Sequence, residues 1–334
     1  MKALVTGGGG FLGRHLVKAL RERGDEVVSY SRGRYPELEA RGVACAEGDL
    51  VDRDALARAC AGAEVVFHVA AKAGIWGDAG EYWRTNVEGT ESVLEACRIA
   101  GVKRLVFTSS PSVCFDGGDH RMAGNDLPYA TRFLAEYPRT KMEAEKLVLA
   151  ANGKDGLATV ALRPHLIVGP DDPHLLPRLV ARAKAGKLAI VGDGRNEVSL
   201  TWVENAVEAH LAAADRLEAR APHAGKAYFI AQKEPVALWK WIGDVLERLG
   251  APRPTRRVPL GVAYTAGAAL EAWWRLTRRT GEPRMTRFLA LELARSHSYD
   301  LRPAERDFGY RERVSMPVAT ESLVTSYSNR SPRP

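Results

Sequence analysis

Residues 1–13 read MKALVTGGGGFLG: a short apolar run, four glycines and the first residues of a helical pattern. The run 2–6 predicts a buried strand that turns through the glycines directly into a helix. A pyrophosphate can approach the backbone N–H groups of such a helix start only where no Cβ obstructs it, which explains Gly7 and Gly10. Gly13 lets the helix pack closely on the strand. No Lys-Ser or Lys-Thr pair follows, so the loop is predicted to bind a dinucleotide and not to form a P-loop.

Beyond this loop, the first half of the chain alternates β-rich runs with helical patterns, which is typical of a parallel sheet covered by helices on both faces. The candidate strands are 2–6, 26–30, 43–46, 65–69, 104–109 and 158–162. After Pro164 this alternation stops. We therefore predict an α/β protein with a doubly wound parallel sheet, a Rossmann domain, over 1–164. A smaller substrate-binding domain is expected over 165–328, with some segments returning to the first domain, and a flexible tail over 329–334.

Composition limits the class of protein. The chain has 334 residues, of which 46% are hydrophobic and 27% charged, as in ordered globular proteins and unlike disordered or fibrous chains. The net charge of +7 leaves several kinds of acidic partner open. The spacing of the four cysteines and eight histidines matches neither a disulfide scaffold nor a metal site, so we expect buried, reduced thiols and no metal. Because the N-terminus carries no secretion signal, a cytoplasmic location is expected.

The end of the second strand indicates which dinucleotide binds. Residues 29–34 read SYSRGR, without an acidic residue that would accept hydrogen bonds from a ribose 2′-hydroxyl. The hydroxyl of Ser31 and the guanidinium of Arg32 instead favour a 2′-phosphate, so NADP is favoured over NAD. The alternative is that Arg32 and Arg34 are solvated charges. Asp49, after the third strand, either faces the adenine or is an ordinary turn residue.

A second motif, Tyr137-Pro-Arg-Thr-Lys141, places a phenol and an ammonium on one face of a helix. It follows the fifth strand, whose end carries the hydroxyl of Ser110 at the sheet edge where ligands bind in doubly wound folds. A ketone that accepts hydride also needs a proton, and Tyr137 can supply it if nearby positive charge lowers the phenol pKa from about 10. Lys141 would provide that charge and hold the nicotinamide ribose. Ser110 would donate to the carbonyl oxygen, with Ser112 as its substitute.

Taken together, these motifs resemble the extended short-chain dehydrogenase/reductases, and the resemblance covers nearly the whole chain and includes Asn86 in Asn-Val-Glu-Gly-Thr. Within that group the chain is most similar to the 3β-hydroxysteroid dehydrogenase branch, through Tyr-Pro-x-Thr-Lys and residues 162–170, LRPHLIVGP. In that branch it resembles the bacterial 2-alkyl-3-oxoalkanoate reductases of olefin biosynthesis, at residues 70–77 (AAKAGIWG) and 282–289 (EPRMTRFL).

The resemblance implies an NADP-dependent enzyme with Ser110, Tyr137 and Lys141 as catalytic residues and Asn86 as a support of helix and sheet. Its implied reaction interconverts a 3-keto and a 3-hydroxy group on a bulky lipid-like substrate, foremost 2-alkyl-3-oxoalkanoate to 2-alkyl-3-hydroxyalkanoate. The alternatives are a 3β-hydroxysteroid or sterol-4-carboxylate 3-dehydrogenase and, from another class, a non-catalytic NADP-sensing regulatory protein. The residues predicted to bind the cofactor are Gly7, Gly10, Phe11, Leu12, Gly13, Ser31, Arg32, Asp49, Leu50, Ala70, Ala71, Lys141 and Pro164.

A substrate with a carboxylate needs a partner for it, because burying an unpaired charge is costly. Lys72 is the favoured partner, since it follows the fourth strand at the same sheet edge as Ser110. Ser112, His165 and Arg195 are further candidates for substrate contacts. Lys72 is otherwise a solvated loop residue and His165 a structural histidine.

Residues 260–276 are nearly uncharged apart from Glu271 and are followed by arginines. With several glycines and alanines, the stretch is a poor membrane span and is either an interfacial helix or an ordinary packed one. A peripheral membrane contact and a homodimer therefore stay open. The arginine pairs 256–257 and 278–279 accompany no nucleic-acid-binding motif, so no nucleic-acid partner is expected.

Overall fold

The computed structural model describes residues 1–173 and 175–330. Its strands are β1 Lys2–Thr6, β2 Glu26–Ser31, β3 Ala44–Glu47, β4 Val65–His68, β5 Arg104–Thr108, β6 His120–Ala123, β7 Ala158–Pro164, β8 Ile167–Val168, β9 Ile190–Val191, β10 Glu197–Val198, β11 Thr201–Trp202, β12 Ala227–Ile230, β13 Val236–Ala237, β14 Arg257–Val258 and β15 His297–Tyr299. Its α-helices are α1 Phe11–Glu22, α2 Pro36–Glu39, α3 Arg53–Cys60, α4 Ala79–Trp83, α5 Gly89–Ala100, α6 Glu136–Ala150, α7 Leu175–Lys184, α8 Val203–Arg216, α9 Leu238–Arg248, α10 Leu260–Leu276, α11 Arg287–Ala294, α12 Arg302–Phe308 and α13 Met316–Arg330. A π-helical turn spans Arg84–Glu88, and 3₁₀ turns span Pro111–Cys114 and Lys154–Gly156.

Within the described residues, seven strands form one parallel sheet in the order β3-β2-β1-β4-β5-β7-β12. Leu4 of β1 lies between Val28 of β2 and Val66 of β4, which fixes the register at the centre of the sheet. The strand order reverses beside β1, so the crevice at the carboxyl ends of β1 and β4 is the expected ligand position. The predicted doubly wound α/β fold is confirmed, and all six predicted strands belong to this sheet.

The sheet forms because its central strands are apolar on both faces, as expected for strands covered by helices on either side. Ala3, Leu4 and Val5 of β1 are fully buried. On one face, α1 buries Leu12 and Leu16 and packs against α8. On the other face, α3 and α5 pack against each other, with α6 alongside α5.

The second half of the chain contributes to this layer structure and also has a core of its own. Helix α8 and strand β12 join the large sheet and its helices, while Trp202, Trp239 and Trp241 centre a separate cluster. A four-stranded sheet in the order β13-β10-β15-β6 connects the two halves, since β6 precedes residue 164. The domain division at 164/165 stays a prediction. Of the tail predicted over 329–334, residues 329 and 330 end helix α13, and 331–334 lie outside the described residues.

The cysteines differ from expectation at one position. Cys60, Cys97 and Cys114 are buried and free, but Cys45 is exposed. The expectation of a buried thiol is wrong there because β3 is the edge strand of the sheet and its outer side is open to solvent. In the described part of the chain, no helix combines the length and apolar character that a bilayer crossing requires.

Candidate active site

The glycine loop connects β1 to α1 and packs directly against the segment that follows β4. Gly7 has a φ of +71°, and a Cβ there would lie 2.8 Å from the Cα of Ala70. A Cβ at Gly13 would lie 2.1 Å from the carbonyl oxygen of Gly7. The turn closes with a 2.9 Å hydrogen bond from the N–H of Gly10 to the same oxygen. The loop therefore requires glycine at Gly7 and Gly13, and it brings the start of α1 to the carboxyl edge of the sheet.

The end of β2 offers unsatisfied groups beside this loop. The hydroxyl oxygen of Ser31 is buried without a hydrogen-bond partner among the described residues. Arg32 is exposed and makes no ion pair within them, whereas Arg34 binds both carboxylate oxygens of Glu39 at 3.2 Å. Tyr35, which sequence reasoning missed, lies with its ring against Gly9, where a Cβ would approach the ring to 2.2 Å. A free hydroxyl beside a free guanidinium fits an anionic group of a dinucleotide.

The remaining residues predicted for the cofactor border the same edge of the sheet. Asp49, two residues after β3, accepts a hydrogen bond from the N–H of Val51 at 3.2 Å, and its other carboxylate oxygen lies 3.5 Å from Arg84; its contact with an adenine stays a prediction. The others are half-buried or buried where the strands end and the loop begins: Phe11, Leu12, Leu50, Ala70, Ala71 and Pro164.

Ser110 follows β5 and starts the 3₁₀ turn Pro111–Cys114. Its hydroxyl oxygen accepts a hydrogen bond from the N–H of Ser112 at 3.2 Å and lies 2.9 Å from the hydroxyl oxygen of Ser112. Burial raises the pKa of Tyr137, and the nearby Ser110 hydroxyl opposes this shift. The structure therefore brings Ser110, Ser112 and Tyr137 together.

Tyr137 and Lys141 lie one turn apart in α6, with Pro138 in its first turn, where a proline is tolerated. Lys141 is 2% exposed, and its Nζ donates a 2.6 Å hydrogen bond to the carbonyl oxygen of Thr108 and lies 4.0 Å from the ring centre of Phe107. Burial lowers the pKa of Lys141 to about 7, and the carboxylate of Glu145 opposes this shift. Lys141 is thus held at the strand end that leads to Ser110.

Asn86 connects the segment after β4 to α6. It lies in the π-helical turn Arg84–Glu88, a distortion that is frequent at functional sites. Its side chain accepts a 2.7 Å hydrogen bond from the N–H of Lys72 and donates to the carbonyl oxygen of Lys72 at 3.1 Å and to Thr140 Oγ1 at 2.9 Å. These contacts are those expected of a residue that supports both helix and sheet.

Lys72, Arg195 and His165, which were predicted to contact substrate, each have separate contacts within the protein. The ammonium of Lys72 pairs with Glu81 at 2.6 Å, and Arg195 is exposed, with its N–H bonded to Asp193 in a turn. His165 is buried directly after β7, where its Nδ1 contacts the carbonyl oxygen of Ser199 at 2.6 Å.

Sequence reasoning also missed a buried hydrogen-bond chain that crosses the site beneath the glycine loop. His68, the last residue of β4, contacts Thr6 Oγ1 at 2.8 Å and Thr90 Oγ1 at 2.9 Å. Burial, and secondarily the charge of Lys141, lowers the His68 pKa to about 3, so the ring is neutral. The one sequence feature that could have indicated this chain of hydrogen bonds is a histidine, His68, at the end of an otherwise apolar strand.

The fold and the site together define an oxidoreductase of the short-chain dehydrogenase/reductase class that acts on a hydroxyl or keto group. Residues 4–260 match the 3-beta hydroxysteroid dehydrogenase/isomerase family. The chain belongs to this family.

Curated relatives extend over almost the whole chain. It is 47% identical to a 2-alkyl-3-oxoalkanoate reductase of Stenotrophomonas maltophilia, with 98% of this chain and 99% of the relative covered. It is 45% identical to a 2-alkyl-3-oxoalkanoate reductase of Shewanella oneidensis, with 97% and 86% covered. Identity to the decarboxylating sterol-4-alpha-carboxylate 3-dehydrogenase of Mus musculus is 36%, with 98% and 91% covered.

Solved structures share the fold. MoeE5 in complex with UDP-glucose and NAD superimposes with a TM-score of 0.75 at 27% identity, covering 98% of this chain and 99% of that one. DesIV, a dTDP-glucose 4,6-dehydratase of Streptomyces venezuelae with NAD bound, superimposes with a TM-score of 0.77 over 99% and 98% of the chains. At 24% identity, the second likeness concerns the fold alone.

Proposed function

We propose that this protein is an NADPH-dependent reductase that converts a 2-alkyl-3-oxoalkanoate to the 2-alkyl-3-hydroxyalkanoate. The observation that carries the proposal is the convergence of Ser110, Tyr137 and Lys141 at the end of β5, on the sheet edge that also carries the glycine loop. The similarity to 2-alkyl-3-oxoalkanoate reductases over nearly the full length supports the substrate class.

In this proposal a bound nicotinamide cofactor supplies the hydride, and the chain handles the proton. The Tyr137 hydroxyl donates its proton to the substrate oxygen as negative charge develops there. The Ser110 hydroxyl, whose proximity lowers the pKa of the phenol, stabilises the same oxygen and the tyrosinate left behind. The ammonium of Lys141, fixed by Thr108, favours the tyrosinate through its positive charge. In the reverse direction the Tyr137 oxygen accepts the proton.

The cofactor preference in this proposal depends on the end of β2. Ser31 has a buried hydroxyl without a partner, and Arg32 has a guanidinium without an ion pair in the described part of the chain. No carboxylate follows β2 directly, so a 2′-phosphate would meet donors and one positive charge instead of repulsion. These features support NADPH over NADH.

The second candidate is a 3β-hydroxysteroid or sterol-4-carboxylate 3-dehydrogenase, favoured by the 36% identity to the sterol enzyme of Mus musculus. The two candidate substrates share a carboxylate beside the carbon that bears the reacting oxygen. They differ in the shape of the apolar part, one being two flexible chains and the other a rigid ring system. A direct comparison of both as substrates therefore separates the candidates.

The test is oxidation of racemic 2-alkyl-3-hydroxyalkanoates of graded chain length and of a 4-carboxysterol, each with NADP and with NAD, followed by the absorbance of the reduced cofactor. We expect turnover of the alkanoates with NADP and a kcat/KM at least tenfold lower for the sterol. Turnover of the sterol alone would establish the second candidate. Tight NADP binding without turnover of either substrate would indicate a regulatory, dinucleotide-sensing protein.

We also propose that the exposed face of α10 contacts an anionic lipid surface. Val262, Trp273 and Leu276 on this helix are 56%, 44% and 84% exposed. The one acidic residue of the helix, Glu271, is buried and pairs with Arg287 at 2.7 Å, so the outer face carries no negative charge. An apolar face that ends in arginines suits the interface of an anionic bilayer.

The end of α10 also contacts the segment that follows β4. The guanidinium of Arg275 stands 5.1 Å from the ring centre of Trp76, in the segment that leads from β4 past the glycine loop. In this proposal, a lipid-like substrate passes from the membrane to the site along this end of α10.

Sedimentation with vesicles of neutral or partly anionic phospholipid tests the lipid contact. The variant W273S/L276S should lose binding to anionic vesicles, while V318S, which removes a similarly exposed side chain on α13, should bind like the unmodified protein. Equal binding by all three proteins would contradict the proposal. A concentration-dependent dimer that W273S/L276S abolishes, without vesicle binding, would assign the face to a homodimer.

A further inference from the structure

Three side chains that lie far apart in the sequence meet in the interior of the protein, beside the end of β7. His165 follows β7, Glu292 lies in α11 and His297 begins β15. Each offers one nitrogen or oxygen atom, and these three atoms all lie within 4.8 Å of one another. Both histidines are buried, and the Glu292 side chain is 19% exposed. The prediction of no metal site relied on spacing along the chain, which does not show this cluster.

The hydrogen bonding of His165 leaves one of its ring nitrogens able to bind a metal. Its Nδ1 lies 2.6 Å from the carbonyl oxygen of Ser199, which can only accept, so the proton of the neutral ring is on Nδ1. The lone pair of Nε2 is consequently free. Histidines that bind metals characteristically donate their other ring N–H to a backbone carbonyl or a carboxylate in this way.

His297 lacks any partner of its own. It is 1% exposed, and neither of its ring nitrogens has a hydrogen-bond partner among the described residues. A carboxyl oxygen of Glu292 lies 3.6 Å from Nδ1, which is too far for a hydrogen bond. Buried polar groups are rarely left unsatisfied, so this ring points to a missing ligand.

The distances suit a small ion. Ligand atoms at about 2.0–2.1 Å from a tetrahedral zinc ion stand about 3.4 Å from each other. The Glu292 to His297 separation of 3.6 Å is close to this value. The ligand atom of His165 lies within 4.8 Å of both other ligand atoms.

We propose that His165, Glu292 and His297 bind one divalent transition-metal ion, with Zn²⁺ as the best match to two imidazoles and one carboxylate. The ion joins the end of β7 in the large sheet to α11 and β15 in the second half. Its role is structural, because it connects side chains of segments that are otherwise linked by packing and by hydrogen bonds through the backbone of Ser199. An ordered water held by the same three groups is the competing explanation.

The test uses tag-free protein with the substitution Cys45→Ser in every variant, so that the exposed thiol cannot bind metal. Chelator-treated protein is titrated with Zn²⁺ against a chromophoric chelator and, separately, with Co²⁺, whose visible absorption reports the ligands. We expect one Zn²⁺ per chain, a higher Tm with Zn²⁺, and a Co²⁺ spectrum of mixed nitrogen and oxygen ligation.

His297→Gln and Glu292→Gln should each weaken Zn²⁺ binding by about 100-fold and abolish the Tm shift. The matched control is His223→Gln, since His223 is also buried with one unpartnered ring nitrogen but lies outside the cluster. If His297→Gln fails to fold by circular dichroism, the near-isosteric Glu292→Gln decides. Absence of stoichiometric binding, or affinities equal in all variants, would overturn the proposal in favour of an ordered water.

Discussion

The Nζ of Lys141 donates a 2.6 Å hydrogen bond to the carbonyl oxygen of Thr108, the last residue of β5. The hydroxyl of the same threonine contacts His210 Nε2 at 2.8 Å, so the strand end is held from α6 and from α8. Ser110 follows two residues later, and Tyr137 lies one helical turn before Lys141. The contact between Lys141 and Thr108 therefore sets the position of the Tyr137 hydroxyl relative to Ser110.

Replacement of the phenol tests the proton-transfer role directly. We expect Tyr137→Phe to lower kcat by about 10²- to 10⁴-fold, because the ring is kept and only the transferable proton is lost. NADPH affinity, measured by fluorescence titration, should stay the same. Tyr264→Phe on α10 is the control and should leave kcat unchanged. A Tyr137→Phe protein that keeps its turnover would exclude Tyr137 as the acid and base.

The two arginines after β2 make a matched pair for the cofactor preference. Arg32→Ala should weaken NADPH binding by ~1.5–3 kcal/mol, the range for a hydrogen bond to a charged group, and leave NADH binding unchanged. Arg34→Ala should have little effect on either, because Arg34 is already paired with Glu39. Both Kd values can be obtained by calorimetry. Equal losses for NADPH and NADH in Arg32→Ala would show that Arg32 does not contact the 2′-phosphate.

The lowered pKa of Lys141 predicts a pH dependence of stability in the cofactor-free protein. The folded protein loses this proton as pH rises through about 7, whereas the unfolded chain keeps it up to 10.5. Between these values the unfolded state binds more protons, so the free energy of unfolding gains up to about 1.4 kcal/mol per pH unit from this group. Lys141→Met lacks this gain.

Urea unfolding near neutral pH and at about pH 9 measures the difference. We expect the stability of the unmodified protein relative to Lys141→Met to increase toward the alkaline end. Parallel pH profiles for the two proteins would mean that Lys141 keeps an ordinary pKa.

The close approach of Gly13 to the carbonyl oxygen of Gly7 predicts that alanine at Gly13 lowers the stability of the protein, whereas alanine at Gly261 raises it. Gly13→Ala should destabilise the protein by about 1–3 kcal/mol and abolish dinucleotide binding, because its Cβ would meet the carbonyl oxygen of Gly7. Gly261→Ala in α10 meets nothing within 4 Å and should raise stability by about 0.5 kcal/mol. Denaturant titration and cofactor binding measure both. Normal cofactor affinity in Gly13→Ala would refute the packing argument.

The ion pair of Lys72 with Glu81 provides a second variant for testing whether Lys72 binds the substrate carboxylate. If Lys72 binds the substrate carboxylate, Lys72→Met should raise KM for a 3-hydroxy acid by about tenfold and leave that for the corresponding ester unchanged. Glu81→Gln frees the ammonium and should lower KM for the acid. Steady-state kinetics on both substrates measure this. The same change in KM for acid and ester would remove Lys72 from the site.

The sequence by itself determined six of the seven strands of the large sheet, the glycine loop and the pair Tyr137 and Lys141 in α6. Residues 2–13 encode strand, turn and helix through local periodicity and through glycines whose φ or close contacts exclude a Cβ. Tyr137 and Lys141 share a face because helical geometry places residues four apart together. Such features depend on neighbours in the chain, so one sequence is enough to predict them. Strand β12 was missed because its place beside β7 depends on packing of the second half.

Contacts between distant segments were decided only by the tertiary structure. The spacing of Arg32 and Arg34 does not indicate that Arg34 forms an ion pair with Glu39. The sequence likewise does not indicate that Lys72 forms an ion pair with Glu81. The cluster of His165, Glu292 and His297 likewise exists only because β15 and α11 pack beside the end of β7. The sequence specifies which charged groups and ring nitrogens the chain contains. Which group each of them contacts depends on the helices and strands that pack together in the tertiary structure.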